Sequence, residues 1–160
     1  PGKFSQMILA RDIPQIHLLL GKFDAKDPSP LYLTAAGTFC FNNNNLEGAE
    51  RLFKAALTYD PKLYQAHFNM GFLKQKMLLH SCAIDYFSTA ISLQKKCDVA
   101  FFGRAISHLA NQSYNRAIAD LKKTITLQPY GPTLIIICAI HIQTKEVQGV
   151  PGTNKSDQRF

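Results

Sequence analysis

No two of the four cysteines form a Cys-x-x-Cys pair: Cys40, Cys82, Cys97 and Cys138 lie far apart. That scatter leaves no disulfide framework and favours a reducing compartment. The longest apolar run, Leu134–Ile140, falls far short of the about 20 residues that span a bilayer, and no secretory leader pattern is present. The glycines are scattered through the chain and form neither G-x-x-x-x-G-K-[ST] nor a dinucleotide fingerprint, so nucleotide binding has no support. His17, His67, His80, His108 and His141 carry no H-E-x-x-H and no paired histidine and carboxylate spacing on a common helix face. No catalytic residue, metal site or cofactor is therefore expected. Acidic residues are few, 11 against 18 lysines and arginines, for a net charge of +7. The excess is spread along the chain, with no basic tail and no basic residues interleaved with exposed aromatics, so neither nucleic acid nor membrane is expected as a partner. Lys74, Lys76, Lys95, Lys96, Lys122 and Lys123 form a modest positive surface for acidic partners or a merely solvated helix face.

What is present is an internal echo. Gly37, Gly71 and Ala105 fall one 34-residue period apart, as do Ala49, Ala83 and Ala117, and Phe53, Phe87 and Leu121. Ala56, Ala90 and Thr124 keep the same frame, followed by Pro61, Lys95 and Pro129. That period accommodates two helices of about 12 to 14 residues and two short turns, and one such pair cannot bury its apolar face alone. The units must stack. Small residues at the recurrent glycine and alanine positions let helix axes approach closely. Phe53, Phe87 and Leu121 fill the space beside them, and Pro61 and Pro129 end helices by removing a backbone donor.

These residues resemble the tetratricopeptide repeat, which has a small residue eighth, alanine twentieth, an aromatic twenty-fourth, alanine twenty-seventh and proline thirty-second. Sel1-like and other helical-pair repeats usually have longer and less constant periods. The resemblance implies an all-α, right-handed α-α superhelix, a solenoid of antiparallel helix pairs. Its repeats are Pro30–Leu63, Tyr64–Cys97 and Asp98–Gly131. The fourth position, often tryptophan in the family, is Leu33, His67 and Phe101 here, and the seventh is Ala36, Met70 and Arg104. Cys40 and Cys138 occupy positions that pack inward, where a free thiol acts as a small apolar group.

Residues 1–29 read as two short helices, Phe4–Arg11 and Ile13–Phe23, a degenerate repeat or a cap. Asp12 caps the second and Pro14 sits in its first turn. Residues 132–147 form a capping helix or a truncated fourth repeat opened by Pro132, and 148–160 form a flexible tail. The helix after Pro132 is apolar nearly all round, so a covering neighbour is expected: further chain, a partner, or a second copy in self-association. A first residue of Pro1 rather than Met leads to the expectation of a piece from a longer polypeptide.

The resemblance also assigns a concave groove to the first helices. In the family, ligand contacts come mostly from their second, fifth, sixth, ninth, twelfth and thirteenth positions, which nominates Phe68, Asn69, Phe72, Gln75, Lys76, Val99, Phe102, Ile106 and Leu109. Family members that clamp acidic chaperone tails use lysine, asparagine and arginine at set places. Here only Asn69 matches, while Thr34, Val99 and Gly103 stand where cations are needed, so chaperone-tail binding is disfavoured. Phe68, Phe72 and Phe102 bring about 150 to 250 Å² each, and uncovered apolar patches beyond a few hundred Å² are rare. Either an amphipathic helix or extended apolar segment covers these rings, or they pack on one another and on neighbouring helices.

The expected function is a non-catalytic protein–protein interaction scaffold. Alternatives are a spacer within a longer array whose groove is filled by its own chain, and a regulatory module attached to an enzyme. Family resemblance places such a protein in the cytoplasm, with cilium or cytoskeleton as further settings.

Overall fold

The computed structural model describes residues 29–129 and 131–148. The helices expected before Pro30 and the tail expected after residue 148 lie outside the described residues. Among the described residues seven helices follow one another: α1 (Pro30–Asn42), α2 (Leu46–Tyr59), α3 (Tyr64–Lys76), α4 (His80–Leu93), α5 (Asp98–Ala110), α6 (Tyr114–Leu127) and α7 (Gly131–Gln148). The architecture is all-α. α1 pairs with α2, α3 with α4 and α5 with α6 as antiparallel neighbours, and each second helix also packs against the first helix of the next pair.

Local chemistry sets the first two helix starts. Ser29 is extended and its Oγ accepts from the Tyr32 amide at 3.2 Å, with Pro30 as the first helical residue. Asn45 Oδ1 accepts from the Gly48 amide at 2.9 Å. Helices α3 to α6 start without a side-chain cap bond. Two of their flanking residues, Leu63 and Cys97, are instead buried, so packing holds those starts.

Within each pair the same turn recurs. Asn44, Leu78 and Gln112 take positive φ of 61°, 61° and 56°. The next amide returns to the preceding helix: Asn45 to Cys40 O at 2.9 Å, Leu79 to Lys74 O at 2.8 Å and Ser113 to His108 O at 2.8 Å. Between pairs, Gln94 closes α4 as Asp60 closes α2. Cys97 N donates to Gln94 O at 3.1 Å where Leu63 N donates to Asp60 O at 3.2 Å. Lys95 therefore occupies a proline position in a turn that forms without proline.

Large rings set against absent side chains build the core. A Cβ added to Gly37 would lie 2.6 Å from the Phe53 ring, and one added to Gly71 would lie 2.6 Å from the Phe87 ring. A Cβ added to Gly103, from the following pair, would also meet the Phe87 ring, so glycines of two pairs close on it. In the third pair the partners become Ala105 and Leu121, a larger small residue beside a smaller large one, both fully buried. Volume is conserved across the exchange, as close packing requires.

The third pair also exchanges an apolar contact for an ionic one. At the equivalent positions the first two pairs have Ala36 and Leu52, then Met70 and Tyr86, all in one apolar cluster, and the third has Arg104 with Asp120. Arg104 donates from Nε and Nη2 to the two carboxylate oxygens, each at 2.8 Å, and from Nη1 to Ser88 Oγ at 3.0 Å. Cys40 is buried as expected, and burial pushes its thiol pKa up. Cys138 is exposed, against expectation, because no described helix lies over that face of α7. Ile140 on the same helix is buried and Ile135 is 70% exposed.

Candidate functional site

α1 touches α3 and α3 touches α5, whereas the second helices of successive pairs do not pack together to that extent. Helices that converge on one side of a stack make that side the inner one. The nominated residues are carried by those helices, Phe68 to Lys76 on α3 and Val99 to Leu109 on α5.

Two of the nominated polar residues tie the stack together. Asn69 Nδ2 donates to Thr38 Oγ1 on α1 at 3.1 Å. Gln75 Nε2 reaches across to α5, donating to Gly103 O at 2.6 Å and Ser107 Oγ at 2.8 Å. Each amide therefore joins consecutive first helices, a use that no single-repeat pattern reveals. Lys76 is exposed, and its ammonium lies 5.0 Å from the Phe41 ring centre, a cation–π contact between α3 and α1. Lys74 is engaged elsewhere, on Glu50 of α2 at 2.9 Å.

The aromatic residues are half-packed. Phe72 meets the buried Phe87 edge-on at 5.0 Å, and Phe68 meets Phe72 edge-on at 6.4 Å and Tyr64 at 6.1 Å. Ring-on-ring packing accounts for one side of this row, and the rings remain half-buried. On α5, Phe102, Ile106 and Leu109 are half-buried, and Val99 is 43% exposed.

Beyond Phe102 lies the junction with the last described helix. α7 packs on α6, and its Ile140 joins Ala105 of α5 and Leu121 of α6 in one buried cluster. A cavity of about 210 Å³ opens there, lined by Asp98, Val99, Phe102, Thr124, Gln128 and Thr133. Its wall is apolar apart from a few polar atoms. Thr133 is wholly buried, and its Oγ1 has no hydrogen-bond partner. A larger polar hollow of about 590 Å³ lies between α6 and α7, among Gln112, Tyr114, Arg116 and His141, and its described lining includes no residue of α1, α3 or α5.

Among the described residues, no group of three or more histidine, cysteine, aspartate or glutamate side chains is placed to hold a metal ion. No described helix is long and apolar enough to cross a membrane. His67 Nε2 lies 2.8 Å from Pro61 O, and His108 is buried beside Asp120 with Nε2 4.0 Å from Oδ2. Burial pushes the His108 pKa below its ordinary value. The Asp120 carboxylate opposes that shift, and the Arg104 and Arg116 guanidiniums add to it.

The sequence matches no family model, and no curated protein matches it either. Solved structures do match, and the fold is that of tetratricopeptide helical-repeat proteins. The chain is similar to the first TPR of Spaghetti (RPAP3) bound to the HSP90 peptide SRMEEVD, at TM-score 0.71 and 17% identity over 74% of this chain and 96% of that one. It is similar to the TPR2B domain of yeast Sti1 in a pHsp70 complex, at TM-score 0.64 and 16% identity over 74% and 97% of the two chains. MamA superposes at TM-score 0.72 and 18% identity over 86% and 87%. The first two correct the expectation that set acidic chaperone tails aside, since they are domains of this fold in complex with Hsp90 and Hsp70 ligands. That expectation required cations at the positions of Thr34, Val99 and Gly103. Carboxylates also accept from amide donors and from ammonium groups placed elsewhere in a groove, so three missing cations do not decide the matter.

Proposed function

We propose that this chain is a non-catalytic scaffold whose inner face, built from α1, α3 and α5, holds an extended or helical segment of a partner protein. The half-buried row of Phe68, Phe72 and Phe102 carries the reading. Phe72 is braced from behind by Phe87 and Phe68 by Phe72, and Phe102 packs against the Ala105, Leu121 and Ile140 cluster, which pre-organises the rings and lowers the entropy cost of binding. Apolar side chains of the segment cover the rings, at about 25 cal/mol for each Å² removed from water. Lys76 supplies a positive charge at the α1 end of the row for a segment that carries carboxylates. The likeness in fold to peptide-bound domains supports the mode of binding and not the identity of the ligand.

Fluorescence anisotropy with two labelled probes tests it: the acidic peptide SRMEEVD and an amphipathic helical peptide rich in leucine. Binding of at least one probe, weakened about tenfold by Phe68→Ser or Phe102→Ser, is the expected result, since losing a ring from a packed contact costs about 1 to 2 kcal/mol or more. Lys76→Glu is exposed and does not threaten the fold, and it separates the probes by weakening only the acidic one. Absence of binding by both probes to the folded chain would overturn the reading.

A further inference from the structure

The corner that opens beside Phe102 is a filled corner in the preceding repeat. One 34-residue period before Asp98, Val99, Phe102, Thr124, Gln128 and Thr133 stand Tyr64, Gln65, Phe68, Ala90, Gln94 and Val99. There the Tyr64 ring lies 6.1 Å from the Phe68 ring, and both pack on the buried cluster of Ala83, Phe87, Ala90 and Cys97. In the third repeat Asp98 stands for Tyr64 and Val99 for Gln65, so two long side chains give way to two short ones. Thr124 in place of Ala90 and Thr133 in place of Val99 return little of that volume. The cavity of about 210 Å³ lies where the exchange takes side-chain volume away.

An unfilled corner forfeits the contacts that its lining atoms would otherwise make. Its walls present few polar atoms, and the Thr133 side chain is sealed within them, so water finds few partners there. An apolar cavity of about 150 Å³ takes up benzene, and one of about 210 Å³ accommodates a leucine, methionine or phenylalanine side chain. A hydroxyl, amide or charge carried into it loses its water without gaining a partner. Val99 in the lining is 43% exposed, so the corner is open to entry past it. Phe102 belongs both to this lining and to the set of half-buried rings, which makes the corner continuous with them.

We propose that this corner receives one large apolar side chain of the bound segment, a leucine, methionine or phenylalanine, in the place that Tyr64 holds in the second repeat. This rests on the reading that the inner helices hold a peptide. The occupant lies beside Phe102 as Tyr64 lies beside Phe68, and it defines one position of the segment at which an apolar residue is required.

The filled corner supplies the control. Asp98→Tyr with Val99→Gln copies the second repeat into the third, and the variant is expected to keep the parent's helical circular dichroism and a cooperative melt. In two-dimensional NMR titrations of the full 160-residue chain, toluene is expected to shift Val99, Phe102 and Thr124. It binds about fivefold or more tighter than p-cresol, whose hydroxyl is buried without a partner. The double variant binds neither. Val99→Phe, at an exposed position, narrows the same corner and carries the test if the double variant does not fold. In whichever peptide probe binds, each leucine or methionine is then replaced by serine in turn. One such change weakens binding to the parent about tenfold and leaves binding to the filled variants unaltered.

No toluene binding by the folded parent, equal or tighter binding of p-cresol, or undiminished toluene binding in the filled variants overturns the proposal. So does a set of serine changes felt equally by parent and variants. Contacts in the free chain between Val99 and its own residues 149–160 assign the corner to the chain itself and overturn it too. Peptide binding without toluene binding sinks the pocket and spares the groove reading. Toluene binding without either peptide sinks the groove reading, and the occupant with it.

Discussion

Arg104 and Asp120 show how one repeat departs from its neighbours without losing its packing. Asp120 is nearly buried, so removing its partner leaves a carboxylate with little access to water. Arg104→Met should cost about 3 kcal/mol in urea denaturation, within the range for broken buried pairs. Adding Asp120→Tyr rebuilds the Met70–Tyr86 arrangement of the second repeat and should recover most of the loss. A double variant no better than the single one would show that the two positions are not coupled. His108, against the same carboxylate, gives a pH prediction. Its folded pKa lies below the unfolded value of about 6.5, so between those two values the unfolded chain binds more protons. Stability should therefore be fully present above about pH 6.5 and fall as the pH drops through that window. Thermal melts at pH 7 and pH 5.5 should show a smaller drop for His108→Gln than for the parent chain. Arg104 was visible in the sequence as a break in the seventh position. Its compensation by Asp120 is recorded there too, in the twenty-third position, but only a helix pair brings those positions together.

At the scale of elements, the turns and crossings show how far a repeat can be read from sequence. The glycine and aromatic periodicity marked the helix crossings because steric exclusion leaves few residue choices there, and Gly37, Gly71, Phe53 and Phe87 make the contacts that period implies. The left-handed turn was less legible, because Asn44, Leu78 and Gln112 share a backbone conformation without sharing chemistry. Leu78 is the least suited to it, 77% exposed at φ 61°. Leu78→Asn copies the first repeat's turn and should stabilise the chain by about 1 kcal/mol, since positive φ is costly for branched side chains and tolerated by asparagine. A melting temperature unchanged or lowered in that variant would contradict the argument. Cys138 was misplaced for another reason. Its repeat position faces inward only where a second helix covers it, and no helix among the described residues does so.

For the whole molecule, the fold class was legible because stacking is dictated by a repeated surface, whereas the inner face depends on register between units. Asn69 and Gln75 were assigned to a ligand by position, yet their amides span from α3 to α1 and from α3 to α5. The cavity lined by Val99, Phe102, Thr124 and Thr133 could not be read at all, since it depends on how α5, α6 and α7 pack together. The Phe87 ring carries packing from one unit to the next. Gly103→Ala should cost about 1 to 3 kcal/mol by overpacking the ring, even though alanine is the better helix former by about 1 kcal/mol. Adding Phe87→Leu, which removes ring volume from that contact, should relieve part of that loss. A Gly103→Ala chain as stable as its parent would show that the ring shifts freely.

Because the socket for Phe87 is finished by the next repeat, the second repeat is not a self-contained module. The first junction meets the same crowding differently, since Asn69 stands one period before Gly103 and turns its amide to Thr38. A foreign unit spliced in after Cys97 must therefore face the Phe87 ring with glycine or with a side chain that turns aside.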